Sequence, residues 1–363
     1  MTNARSPNND LAAAFIKEAS KDASTFVSNA NVKISSIKIA EHLMPITVTA
    51  PGPTQTWTVS LRSAYGPYAL TEIDHAPFPA ARPILKALVK SMDWALTHSG
   101  LDNLVCVNNW LLSTNLYPDW DGTGLEKATM DLVAYYSESF LAFRSLNSAH
   151  HSSLLKKFLA CGWVLLPSRR VWVVEPDTPY TRDRANDDRL LAKTSLIKAE
   201  GHEFDDTDWS RAADLYAQLY LDKYSGLNPV FAPHFLKWSQ NVGLMDIRGL
   251  RNDSGVLLSI VGTISEGRVM ATPLIGYDMS APQKLGLYRM STAMAFEVMT
   301  ERNLCFNLSA GVGGFKRNRG ANPIIEYTAL YHRHLSPWRG IAPNVLRGML
   351  SRIGVPVMER FDL

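Results

Sequence analysis

Apolar residues recur along the chain at two spacings, and the switches between them set the expected elements. From Pro79 to His98 the side chains of Ile84, Leu85, Leu88, Val89, Met92, Trp94 and Ala95 repeat at helical spacing, and Gly100 stops the run. Leu11–Ser20 reads as an earlier helix behind a polar tail. Strand-like runs come at Met44–Thr49 and Thr56–Arg62, separated by Pro51-Gly52-Pro53, then at Leu104–Val107 and Ser139–Leu146. His150–Cys161 reads as a helix ended by Gly162, with strands at Trp163–Pro167 and Val171–Val174 behind it. Pro176–Asp188 is rich in Asp, Arg, Pro and Thr and reads as an exposed connection.

The pattern then restarts. Asp205–Trp209 offers N-caps to a helix reaching about Lys223, and a second helix runs from Pro233 to before Gly243. Leu244–Arg251, Val256–Ser265 and Arg268–Gly276 read as strands, turned at Asn252–Gly255 and Glu266-Gly267. A long amphipathic helix over Leu285–Arg302 leads to a strand at Cys305–Leu308, a glycine-rich turn with a short basic helix, and a strand at Ile324–Tyr331. Helices alternating with strands predict an α/β fold, and 363 residues predict two domains, placed at 1–180 and 195–363.

Composition changes this picture little. The chain is 46% hydrophobic and 20% charged with a net charge of +3, too mild to argue for nucleic acid by itself. Cys106, Cys161 and Cys305 sit in or beside apolar runs and read as reduced thiols. The residues from Thr2 to Asp10 lack the apolar core of a signal peptide, and no apolar run approaches membrane-spanning length, so a soluble cytoplasmic protein is expected. His150-His151 and His332-x-His334 come without a third ligand at metal spacing, so no metal is expected. No nucleophile elbow, P-loop or dinucleotide glycine triplet is present.

The candidate chemistry gathers in one stretch. Ser309, Ala310, Gly311, Gly313 and Gly314 let a ligand approach the backbone, and Phe315, Lys316, Arg317 and Arg319 come immediately after. Backbone N–H groups and cations so placed suit an anion such as a carrier phosphate.

The element order of the second half resembles the GNAT acyltransferase fold. Its motifs are similar to the branch containing the Fem peptidyltransferases, which use aminoacyl-tRNA. The resemblance covers about 205–335. It rests on Tyr220-Leu-Asp-Lys-Tyr-Ser-Gly-Leu-Asn-Pro229, Gly276-Tyr-Asp278, Lys284-Leu-Gly-Leu-Tyr-Arg289 and above all Gly314-Phe-Lys-Arg-Asn-Arg-Gly320. The first half, with Ser63-Ala-Tyr-Gly-Pro-Tyr68 and Phe143-Arg-Ser-Leu-Asn147, resembles a degraded first repeat. The resemblance implies tandem GNAT-like domains with mixed, splayed sheets. It implies an acyl or aminoacyl transferase acting on an amine-bearing small molecule or peptide in cell-wall or natural-product biosynthesis. The donor it implies is aminoacyl-tRNA, with no tightly bound cofactor. No coiled-coil arm is seen, and Ser280–Gly286 matches an acetyl-CoA loop poorly. An acyl-CoA-dependent N-acyltransferase and a non-catalytic binding protein of the same fold are the alternatives.

Acyl transfer to an amine needs the amine deprotonated, the carbonyl polarised and both held close. Lys316, beside Phe315 in the aromatic–Lys pair that the resemblance marks, suits the oxyanion or a carrier phosphate, in a polar turn where it contributes little to the core; otherwise it is a solvated surface lysine. Arg317 and Arg319 suit phosphate, beside Gly313 and Gly314. Tyr277 suits a general acid and Asp278 an amine-orienting carboxylate, or else Asp278 only makes a turn. Glu326 points to solvent or has a paired, functional role. Tyr288 and Arg289, at the start of the long helix, suit an anion. Tyr224 and Asn228 suit substrate, although Asn228-Pro229 also simply stops a helix. In the first half Tyr65, Tyr68 and Glu72 form a polar–aromatic loop suited to an acceptor. Arg144 lies in an apolar strand and needs partners, through an interdomain salt bridge or a bound anion.

Overall fold

The computed structural model describes residues 7–75 and 79–361; residues 1–6 of the polar tail lie outside them, and the first helix begins at Pro7, inside the expected tail. The fold class is the expected one, α/β with mixed β-sheet flanked by helices. The chain forms two compact units. The first takes in the chain up to Arg170, Leu227–Pro229 and everything from Ile324; the second takes in Val171–Gly226 and Val230–Pro323. The segment from Ile324, grouped with the second domain in the sequence reading, therefore lies in the first unit.

The first unit holds β1 (Lys33–Ile39), β2 (His42–Thr49), β3 (Leu104–Val107) and β4 (Phe140–Asn147). β1–β2 and β2–β3 are antiparallel, whereas β3 and β4 are parallel and bridged by the helix Leu125–Tyr135. Side-chain alternation builds two cores. Val105, Val107, Leu141 and Phe143 face the helices Leu125–Tyr135 and Ser152–Ala160. Leu104, Cys106, Phe140 and Ala142 face Met92 and Leu96 of the helix Arg82–Ser99, and Ala342 and Leu346 of the helix Ile341–Met349.

β5 (Val164–Val174) is one continuous strand where two were expected, and the division between units falls inside it. The second unit holds the end of β5 with β6 (Ile197–Glu200), β7 (Asp246–Arg251), β8 (Leu257–Glu266), β9 (Val269–Tyr277) and β10 (Cys305–Asn307). β6 to β9 pair antiparallel in succession. β10 pairs parallel with β9 and antiparallel with β5. The helix Leu287–Arg302 bridges β9 and β10 and is buried on most sides, with Met290, Met294 and Phe296 in the core. Asp205 caps the helix Asp206–Ala217 through the Asp208 N–H, as expected. Gly276 lets β9 approach that helix, since a Cβ there would lie 2.5 Å from the Leu215 carbonyl carbon. β11 (Asn322–Tyr331) reaches back into the first unit and pairs antiparallel with β4 from Glu326 to Tyr331.

Two further expected elements differ. Thr56–Arg62 is not a strand: the Thr58 and Val59 carbonyls accept from Asn109 and Thr49 side chains, and Ser60 caps a short helix starting at Leu61. Pro176–Asp188 is not a plain exposed connection. A helix, Arg182–Lys193, starts within it behind the cap Thr181 and buries Arg184, Asp187 and Leu191.

Candidate functional site

In the second unit the parallel pair ends early. β10 pairs with β9 only to Asn307 and Ala271, while β9 runs on to Tyr277. The chain leaves β10 through a strained turn in which Ser309, Gly311 and Val312 all have left-handed backbones, with φ of 60°, 79° and 45°. A β-branched residue there is strained, and such strain concentrates at functional sites. Lys316, from the five-residue helix Gly313–Arg317, folds under this turn. Its Nζ donates to the carbonyls of Ser309 at 3.0 Å and Ala310 at 2.7 Å. It is only 3% exposed, so it is not a solvated lysine. Gly314 has open space where a Cβ would stand, whereas Gly313 is buried.

A row of rings lines the same region. Tyr288 sits 6.0 Å from Tyr277 and 5.0 Å from Phe315, centroid to centroid. Burial pushes the Tyr288 phenol well above its ordinary pKa, helped by the nearby Tyr224 and Tyr277. Two of the arginines expected to hold an anion are engaged by a carboxylate: Asp187 accepts from Arg289 Nε and Arg319 Nε, both at 2.6 Å. Arg319 also lies over the Phe315 ring and donates to its carbonyl. Arg317 lies over the Trp172 ring at 5.2 Å. Asp278 makes its turn, accepting from the N–H and Oγ of Ser280, and pairs with Arg211 at 2.8 Å. Those Ser280 bonds, with Arg211, hold its carboxyl below the usual range.

The first unit gathers Arg144, Tyr68 and Asn228 around Trp57. Arg144 and Arg169 lie over its ring at 4.9 and 5.0 Å, and Tyr68 stands 5.6 Å away. Its indole N–H donates to Asn228 Oδ1 at 2.9 Å. Arg144 makes its hydrogen bonds to the carbonyls of Thr58, Leu112 and Ser113, inside its own unit, and burial lowers its pKa. Arg169 pairs with Glu326, Nη2 to Oε1 at 2.7 Å. Glu326 is 1% exposed, so the solvent-facing alternative does not hold, and its Oε2 takes no hydrogen bond among the described residues. Tyr65 donates to the Pro167 carbonyl, and burial pushes its phenol up to about 12. Glu72 is exposed on the helix Ala69–His75.

A backbone irregularity fixes this cluster. Tyr327 pairs with Leu146 and Ala329 with Phe143, so Arg144 and Ser145 both lie opposite Thr328, with Ser145 at φ 64°. Ser145 Oγ accepts the Asn115 N–H, and Tyr117 donates to the Arg144 carbonyl. Sequence reasoning missed Arg169, Trp57, Asp187 and Arg211. Trp57 lay in a run read as a strand, and Asp187 in a run read as solvent-exposed; Arg169 and Arg211 gave no signal.

No family model matches the chain, and no curated protein matches it significantly. Among solved structures, L-PGS from Bacillus licheniformis is similar over 96% of this chain and 99% of its own, at 12% identity and a TM-score of 0.51. FemX is similar over 56% of this chain and 75% of its own, at 8% identity and a TM-score of 0.45. A GCN5-related N-acetyltransferase from Kribbella flavida covers 64% of this chain and 82% of its own, at 16% identity and a TM-score of 0.35. The likeness to L-PGS spans nearly both chains and is a likeness of fold. No helix among the described residues is long and apolar enough to cross a membrane.

Proposed function

We propose that the protein is an acyl or aminoacyl transferase that forms an amide on an amine-bearing small molecule or peptide, with aminoacyl-tRNA as donor. The observation that carries this reading is the strained Ser309–Val312 turn, held from beneath by Lys316, where the parallel strands β9 and β10 cease to pair. The fold shared with L-PGS and the Fem-like motif Gly314–Gly320 support it.

The amine nitrogen attacks the acyl carbonyl carbon, the ester C–O bond breaks, the leaving oxygen takes a proton from Tyr277, and the proton that the nitrogen loses restores the Tyr277 phenol. In this reading Lys316 acts on the donor by fixing the turn against which the carbonyl lies, rather than as a mobile surface cation. Tyr277 protonates the leaving oxygen, and the Tyr288 phenol, kept neutral by burial, stays a hydrogen-bond donor. Arg317, held over the Trp172 ring beside the turn, serves as a cation for the carrier phosphate, whereas Arg289 and Arg319 hold Asp187. Glu326 serves as the counter-ion of Arg169 rather than as a catalytic carboxylate.

The test incubates the full chain with a mixture of labelled aminoacyl-tRNAs, or with acyl-CoA, and a set of primary amines, reading products by mass spectrometry. An amide formed from aminoacyl-tRNA is the expected result. Amide from acyl-CoA alone replaces the donor. No product from either overturns the transferase reading in favour of a binding protein.

A further inference from the structure

In the first unit the helix Arg82–Ser99 turns an apolar face to solvent. Ile84, Leu88, Ser91 and Trp94, at helical spacing, are all exposed, Ile84 by 74% and Trp94 by 65%. Met92 and Leu96, on its other side, are buried in a core cluster that also holds Ala342 and Leu346. The helix Ile341–Met349 repeats the arrangement. It buries Ala342 and Leu346 in that cluster and exposes Ile341 by 61% and Val345 by 49%, next to Trp338 at 57%. Both helices therefore carry apolar residues on the side facing water as well as the side facing the core. Apolar exposure on this scale marks an interaction surface.

The exposed charges carried by these two helices are positive, and the acids at their margins, Asp74 and Glu138, pair with Lys86 and Arg339. Lys90, Arg347 and Arg352 are exposed there. From Tyr327 to Met358 there is no Asp or Glu, and from Pro79 to Leu101 the single acid, Asp93, is paired with Arg62 at 2.8 Å. Exposed tryptophan and branched aliphatic side chains between lysines and arginines suit the boundary between lipid headgroups and acyl chains. A second copy of the chain meeting this face would bring like charges together, which is unfavourable.

We propose that the face formed by the helices Arg82–Ser99 and Ile341–Met349, with Trp338, docks on the surface of an anionic lipid bilayer. The apolar side chains enter the interface, and the cations meet lipid phosphates. The inference stands apart from the transfer chemistry, since none of these residues belongs to the Lys316 turn or the Trp57 cluster.

The test sediments the full chain with vesicles of mixed phosphatidylglycerol and phosphatidylcholine, and with vesicles of phosphatidylcholine alone. Binding to the anionic vesicles, weakened by salt, is expected. A variant combining Trp94→Ser, Trp338→Ser and Ile341→Ser should partition about tenfold less or worse, and Lys90→Glu with Arg352→Glu should do the same. Both should keep the wild-type melting temperature, because the altered side chains are exposed. No binding to anionic vesicles, equal binding to neutral ones, or undiminished binding by the variants overturns the proposal. So does sedimentation equilibrium showing a dimer that Ile341→Glu dissociates, which would make the face a contact between copies.

Discussion

Each unit contains a parallel strand pair bridged by a helix, and each pair stops pairing before its longer strand ends, yet the two pairs finish differently. In the first, β3 stops at Val107 and β4 runs on through a bulge to Asn147. Arg144 from that bulge, Arg169 and Glu326 fill the region around Trp57 with buried charges engaged by carbonyls and by one another. In the second, β10 gives way to a strained turn, one buried lysine beneath it and a row of phenols beside it. The same topology is thus locked by an ion pair in one unit and finished by a buried lysine and neighbouring phenols in the other. Topology alone does not identify a site; the side chains that finish the strands decide.

The contrast can be broken most forcefully at Glu326. Glu326→Ala leaves the largely buried Arg169 without its carboxylate and should cost about 3–5 kcal/mol, read by urea unfolding. A loss under about 1 kcal/mol would mean that the pair is solvated and the first cluster is not locked. Next comes Lys316→Ala, which strips two carbonyls of a charged donor. It should cost about 3 kcal/mol and lower amide formation about a hundredfold or more. Lys316→Arg should not restore turnover, because a planar fork cannot replace a compact ammonium under a tight turn. Normal turnover in both would return the turn to a purely structural role.

Part of this contrast was legible in the sequence. The β9, long helix, β10, glycine turn succession followed from periodicity and small residues, and Phe315-Lys316 stood out by its neighbours. The depth of Lys316 did not, since burial of a lysine depends on which carbonyls the folded turn turns inward. The pairing of Glu326 with Arg169 joins residues 157 positions apart and leaves no local trace. Asp187 was hidden because a helix capped by Thr181 looks, residue by residue, like a polar loop.

Smaller effects sharpen the picture. The Tyr65 phenol titrates near 12 when folded and near 10 when unfolded, so its contribution is complete below pH 10 and lost as pH rises towards 12. Stability should fall by about 2 kcal/mol across that window, and Tyr65→Phe should flatten the curve. A fall unchanged by the substitution would assign it to other groups. Thr181→Ala should cost about 1 kcal/mol by removing the cap of the helix that carries Asp187, measured as a modest drop in melting temperature. No change would detach that helix from the support of Arg289 and Arg319.

The most direct measurement compares turnover in two variants, one from each unit. In Arg169→Met with Glu326→Leu both partners of the buried pair become apolar together, a change that is often neutral or stabilising. This variant should form amide within about threefold of wild type, while Lys316→Ala loses about a hundredfold or more. Equal, severe loss in a folded double variant would contradict the account, because the charges around Trp57 would then belong to the chemistry.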